Sequence, residues 1–124
     1  MKKFATAVNC MDGRVQEPVI IFLKKKFGVD YVDMITEPGP DKILAEGTDK
    51  FKLNSIKQRI DISVTQHASE LILVAGHEHC ANNPVDKNTH IAQTLNSAAT
   101  IRKWFPNAKI IAVWIGDDWV VEPI

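Results

Sequence analysis

The run Leu71-Ile72-Leu73-Val74-Ala75 sets apolar side chains at five consecutive positions and is closed by Gly76. Successive residues of a strand face opposite sides of a sheet, so this segment needs cover on both faces. A parallel sheet with helices on both sides supplies that cover. The segment is too short for an ordinary helix, and no stretch of the chain approaches the roughly 18 apolar residues of a membrane span.

The rest of the chain falls into place around that strand. Residues 4–9 are short, apolar and rich in β-formers, and read as another buried strand. Val19, Ile20, Leu23 and Phe27 recur at helical spacing over 16–27, with Pro18 tolerated in the first turn and Gly28 as the stop. Residues 31–35 predict a strand, and Glu37-Pro38-Gly39-Pro40 predicts a loop. Residues 41–51 resist assignment beyond a turn at Gly47 and Asp49. Leu53, Ile56, Ile60, Val64 and Ala68 then predict an amphipathic helix over 50–68. A further helix is expected over 89–105, with His90 exposed in its first turn, Ile91, Leu95, Ala98, Ile101 and Phe105 on its buried face and Pro106 ending it. Residues 109–115 give the last strand, followed by a turn at Gly116-Asp117-Asp118 and a short tail. Alternation of this kind predicts a three-layer α/β single domain over residues 1–124. Its mostly parallel central sheet would have four to five strands, with helices on both faces.

Charge narrows the choice of partner. Fifteen basic and fifteen acidic residues give a formal net charge of zero. Nucleic acid and anionic membranes both call for a basic surface, so neither is expected as a partner. The one basic run, Lys24-Lys25-Lys26, suits the last turn of a helix. The opening residues carry too little apolar length for a signal peptide, and a cytoplasmic protein with reduced thiols is expected. Its two cysteines, Cys10 and Cys80, then read as ligands or nucleophiles rather than a disulfide.

Cys10 and the segment His77-Glu78-His79-Cys80 both follow predicted strands. Open α/β sheets bind their ligands at that edge. If the strands are neighbours, Cys10, His77 and Cys80 converge. Two thiolates and an imidazole form a donor set that favours zinc, and three protein ligands leave a fourth position for chemistry. Cys10-Met11-Asp12-Gly13-Arg14 adds a carboxylate and a guanidinium at alternate positions, poor material for a core but sensible as a pair beside a cation. Either cysteine motif alone also fits an inert buried thiol. Cys10 as a catalytic nucleophile is a third option. An oxyanion clamp would then need Arg six residues on, where Gln16 stands, and Asp12 would repel an anionic substrate.

Taken together, Cys-Met-Asp-Gly-Arg at 10–14 and Gly-His-Glu-His-Cys-Ala at 76–81 resemble the paired motifs of the β-class carbonic anhydrases. Those motifs commonly read Cys-Met-Asp-Ser-Arg and Gly-His-x-x-Cys-Gly. The resemblance implies a Zn²⁺ cofactor on Cys10, His77 and Cys80, and hydration of carbon dioxide to bicarbonate by zinc-bound hydroxide. Asp12 and Arg14 would form the catalytic dyad, Asp12 also serving as fourth zinc ligand in a closed form. It further implies a homodimer or higher homo-oligomer. Two departures stand out. The family's Arg-Asn-Ala-Gly is replaced by Thr36-Glu37-Pro38-Gly39, which is expected to change the charge of the pocket wall. No residue matches the family's pocket glutamine, Gln16 reading as an exposed residue of a helix start. A non-catalytic zinc-binding homolog, or a hydrolase of carbon disulfide or carbonyl sulfide, are the alternatives that these departures leave open.

Overall fold

In the computed structural model, which describes residues 1–124, five strands form one sheet in the order β2-β1-β3-β4-β5. The strands are β1 (Phe4–Cys10), β2 (Tyr31–Glu37), β3 (Leu71–His77), β4 (Lys109–Ile115) and β5 (Val121–Pro123). The first four are parallel, and β5 adds an antiparallel edge to β4. β3, buried at all seven positions, lies in the middle of the sheet between β1 and β4.

Four helices cover the faces. α1 (Gly13–Phe27) lies alone on one side, where Val15, Val19 and Leu23 pack with Ala5, Ala7, Leu71, Leu73, Ala75, Val113 and Ile115. Its first turn is capped by the Asp12 carboxylate, and its end by Gly28, whose φ of 66° few other residues adopt. The other side is covered by α2 (Pro40–Glu46), α3 (Lys50–Gln66) and α4 (Lys87–Trp104). There Leu53, Ile56 and Ile60 of α3 and Ile101 of α4 pack on Val8, Ile72 and Val74. Burying each such aliphatic side chain contributes about 1.5–3 kcal/mol, which fixes the helices to the sheet. No helix is long and apolar enough to cross a membrane.

The expected three-layer architecture is therefore present, with three local differences. The expected loop 37–40 shrinks to Pro38-Gly39, because Glu37 ends β2 and Pro40 starts α2, which runs on into the unassigned segment and is ended by Gly47 at φ 65°. The tail supplies a fifth strand. The buried face of α4 is rotated from the expected one: His90, Thr94, Ser97, Ala98 and Ile101 point inward, while Leu95 is exposed. The cause is a polar partner. The Asp41 carboxylate of α2 meets His90 Nδ1 at 2.7 Å, and the Asp41 carbonyl accepts from Ser97 Oγ at 3.1 Å.

Candidate metal centre

β1 and β3 pair in parallel, so their C-terminal ends bring the two cysteine motifs together. The donor atoms of Cys10, His77 and Cys80 all lie within 4.8 Å of one another, and all three residues are buried. The two sulfurs are 3.9 Å apart. Tetrahedral bonds of about 2.3 Å would set two zinc-bound sulfurs ~3.8 Å apart, so the spacing suits that ion.

The imidazole gives a second test of fit. His77 Nδ1 lies 2.7 Å from the Glu78 carbonyl, which can only accept, so the proton sits on Nδ1. Nε2 is left with a lone pair, buried and without a hydrogen-bond partner. A buried polar atom with no partner is costly, and a metal bond removes the cost. Backbone carbonyls that accept from the other ring nitrogen orient zinc-binding histidines in this way. The donor set and the orphaned nitrogen both fit a zinc ion.

The electrostatics run the same way. The Cys80 thiol hydrogen-bonds the Cys10 sulfur and outweighs burial, so the Cys10 thiol is lowered to about 4. His77 and the backbone N–H groups of Asp12 and Gly39 add to the effect. Cys80 is pushed up in turn by the Cys10 thiolate and by burial. Burial disfavours charge on His77, but the neighbouring Cys10 thiolate more than offsets it and raises the imidazole's pKa. The pair of sulfurs thus shares one proton, which a bound cation would displace.

Gly39 and Gly76 explain how the backbones come so close. Gly39 has φ 72°, and a Cβ there would lie 3.2 Å from Asn83 Cβ and 3.6 Å from the Cys80 sulfur. At Gly76 a Cβ would lie 2.5 Å from Thr94 Oγ1 and 3.2 Å from Asp41 Oδ2. Only glycine lets α4 press against the strand that ends in His77.

Asp12 and Arg14 stand at the rim. The guanidinium holds the carboxylate with two parallel bonds, Nε to Oδ1 at 3.1 Å and an Nη to Oδ2 at 2.7 Å. The Arg14 hydrogen bond is the main reason the Asp12 carboxyl falls to about 2. Asp12 is not among the three donors gathered within 4.8 Å. His79 is exposed, and its carbonyl accepts from Arg14 at 3.3 Å.

Three readings of single residues change. Gln16 is half-buried rather than exposed, and its Nε2 donates to the Cys10 carbonyl at 2.6 Å and the Asn9 side chain at 2.9 Å. It braces the ligand loop and spends its donor there. Glu37 forms an ion pair with Arg59 of α3, which also reaches the Thr36 carbonyl. The expected acidic pocket wall is thereby neutralised by a cation from 22 residues further along. His90, expected to be exposed, is 1% exposed because Asp41 binds it inside.

The whole of residues 1–124 matches the family described as "Putative carbonic anhydrase". No curated protein sequence matches the chain. The fold is similar to isoform I of the β-carbonic anhydrase of the protozoan Trichomonas vaginalis, at 19% identity and a TM-score of 0.60. That likeness covers 96% of this chain and 81% of the other. It is also similar to a tetrameric β-carbonic anhydrase of the ascomycete Sordaria macrospora, at 14% identity and a TM-score of 0.60, over 100% of this chain and 82% of that one. A β-carbonic anhydrase of the fungal pathogen Aspergillus fumigatus matches at 10% identity and a TM-score of 0.54, over 99% of this chain and 75% of its own.

Proposed function

Since the chain belongs to the carbonic anhydrase family, which it matches over residues 1–124, we propose that it hydrates carbon dioxide reversibly to bicarbonate, with one zinc ion held by Cys10, His77 and Cys80. The observation that carries this reading is the convergence of Cys10, His77 and Cys80, whose donor atoms all lie within 4.8 Å of one another with the two sulfurs 3.9 Å apart. All of residues 1–124 serve as one zinc-binding domain.

Bound zinc supplies Lewis acidity that brings the ionisation of water toward neutral pH. The chain's own groups do the rest. Asp12, ionised at neutral pH, accepts a hydrogen bond from the attacking water and orients its lone pair. Arg14 holds Asp12 charged and aimed. Carbon dioxide is small and uncharged, so its site calls for apolar walls rather than a cation. A permanently closed site with Asp12 as fourth donor is the less favoured reading, because both oxygens of Asp12 are engaged by Arg14. Self-association, as in the tetrameric Sordaria enzymes, belongs to the same proposal.

Metal analysis of freshly purified, reduced protein is expected to give one zinc per chain, lost in Cys80→Ser and His77→Ala variants. Stopped-flow hydration of carbon dioxide at about pH 7 to 9 tests the chemistry. Stoichiometric zinc with a rate no faster than buffer would end the enzyme reading, and absence of zinc would end both.

A further inference from the structure

Three loops meet around the Arg14 guanidinium, and one of them has no role in the site described so far. It is the turn after β4, where the Trp119 ring covers the guanidinium with its centroid 4.5 Å from Arg14 Cζ. The same ring lies 6.3 Å from the imidazole of His77. We propose that Trp119 is a positioning residue that keeps the zinc site open, clamping Arg14 so that it holds both oxygens of Asp12 off the metal.

The need for a clamp follows from the chemistry of arginine. Arg14 is exposed and carries a long side chain with several free torsions, and an ion pair at such a surface holds its geometry weakly. Asp12 alone would let the pair come and go. An aromatic face over a guanidinium fixes its plane, and with it the direction of the two parallel bonds to the carboxylate. The His79 carbonyl, at 3.3 Å, fixes the edge of the same group.

Backbone strain marks both of these partners. Only Ala68, His79 and Trp119 have positive φ among residues other than glycine, at 54°, 61° and 58°. Two of the three are the residues that cage Arg14. A bulky aromatic in this region is an outlier that persists only where the surroundings enforce it, and such outliers gather at functional sites. Here the enforcing contacts are visible. Trp119 N–H donates to the Gly116 carbonyl at 3.0 Å, and Val120 N–H donates to the Asp118 carboxylate at 3.0 Å. The Glu78 N–H donates to the Ile115 carbonyl at 2.9 Å, tying this turn to the loop that carries His77 and Cys80.

Trp119 is half-buried: its ring packs against the core under α1 and borders a cavity of about 540 Å³ with Pro18, Ile21 and Val121. Its place over Arg14 is set by that packing together with the guanidinium contact and the strained turn. Without the ring, Arg14 swings free, Asp12 is released, and a carboxylate two residues from Cys10 turns toward the metal as a fourth donor.

This inference rests on the zinc reading, and cobalt(II) substitution separates the two. The cobalt-loaded wild type is expected to show a visible d–d spectrum that responds to azide, because a position is open to the anion. In Trp119→Leu, closure by Asp12 should weaken azide about tenfold, as a tenfold shift of population toward the closed form requires. Trp119→Phe restores an aromatic face and should stay within about twofold of wild type. Adding Asp12→Ala to Trp119→Leu should recover the azide response, which a general loosening of the fold would not do. Trp119→Met fills the volume without offering a ring, and should behave as Trp119→Leu. Unchanged azide affinity in both Leu and Met variants would overturn the clamp while leaving zinc binding intact. Failure of the wild type to take up cobalt would overturn the zinc reading and the clamp with it.

Discussion

On one face of the sheet Asp12 meets Arg14 with side chains 18% and 51% exposed; on the other, Asp41 meets His90 with side chains 2% and 1% exposed. Both carboxylates lie 2.7 Å from a nitrogen donor, and both flank the end of β3. Gly76 turns toward Asp41 and α4, while the next residue, His77, turns toward the face of α1, as the two-residue period of a strand requires. The outer pair lies in water's reach and can exchange partners. The inner pair sits against a backbone with no room for a methyl group, and its service is to hold the ligand-bearing strand. The same chemistry thus gives adjustable geometry at the rim and fixed geometry behind it, and burial decides which.

Removing one member of the inner pair should cost the fold most. His90→Ala leaves the Asp41 carboxylate buried without its partner, and stranding a buried charge costs about 3–5 kcal/mol. Urea unfolding should show a loss of that size. A loss no greater than that of a surface substitution would mean that the inner pair is not a structural element.

The outer pair should respond in the opposite sense. Arg14→Gln removes an exposed cation and is expected to leave the unfolding midpoint where it was. Its effect falls on Asp12, whose orientation it sets, and groups that orient a metal site from outside typically carry 10–100-fold in activity. A fall of about that size in carbon dioxide hydration, with unchanged stability, sharpens the contrast. A large drop in stability with unchanged rate would reverse the roles of the two pairs.

The outer site was readable from the sequence and the inner one was not, for a physical reason. Cys10, His77 and Cys80 are uncommon residue types at or just beyond the ends of strands legible in the sequence, and the pairing of β1 with β3 supplies the adjacency that their convergence required. β3 and α3 were readable because unbroken or regularly spaced apolar residues leave few alternatives. On α4 the same logic failed. Counting apolar residues favoured Leu95 and Ile91, but the helix turns His90, Thr94 and Ser97 inward because Asp41 waits there. A polar core is invisible to hydrophobic spacing, since its partners come from distant segments: Asp41 and His90 are 49 residues apart. Arg59 escaped notice as the partner of Glu37 for the same reason. The left-handed backbone of Trp119 left no trace either, because nothing in the residue type asks for it. The α2 helix was hidden by its shortness and by Pro40, which reads as a loop residue beside Pro38-Gly39 but serves as the first residue of the helix.

The smallest expected effect comes from a third carboxylate, which extends the comparison to full exposure. Asp86 caps α4 four residues before His90, accepting from the Thr89 N–H at 2.8 Å. The Thr89 hydroxyl first, and its backbone N–H second, hold the Asp86 carboxyl below its ordinary value of 3.8. A carboxyl depressed in the folded state stabilises the fold above the unfolded value. That contribution is lost as pH falls through the lower, folded value. Asp86→Ala should therefore lower the melting temperature slightly at neutral pH, with the gap to wild type closing as pH drops below about 3.8. The comparison requires the gap to be much smaller than that of His90→Ala, since both residues serve the same helix and differ mainly in their access to water. A pH-independent gap would mean that the carboxylate charge has no part in the cap, and a gap as large as that of His90→Ala would mean that burial does not set the scale.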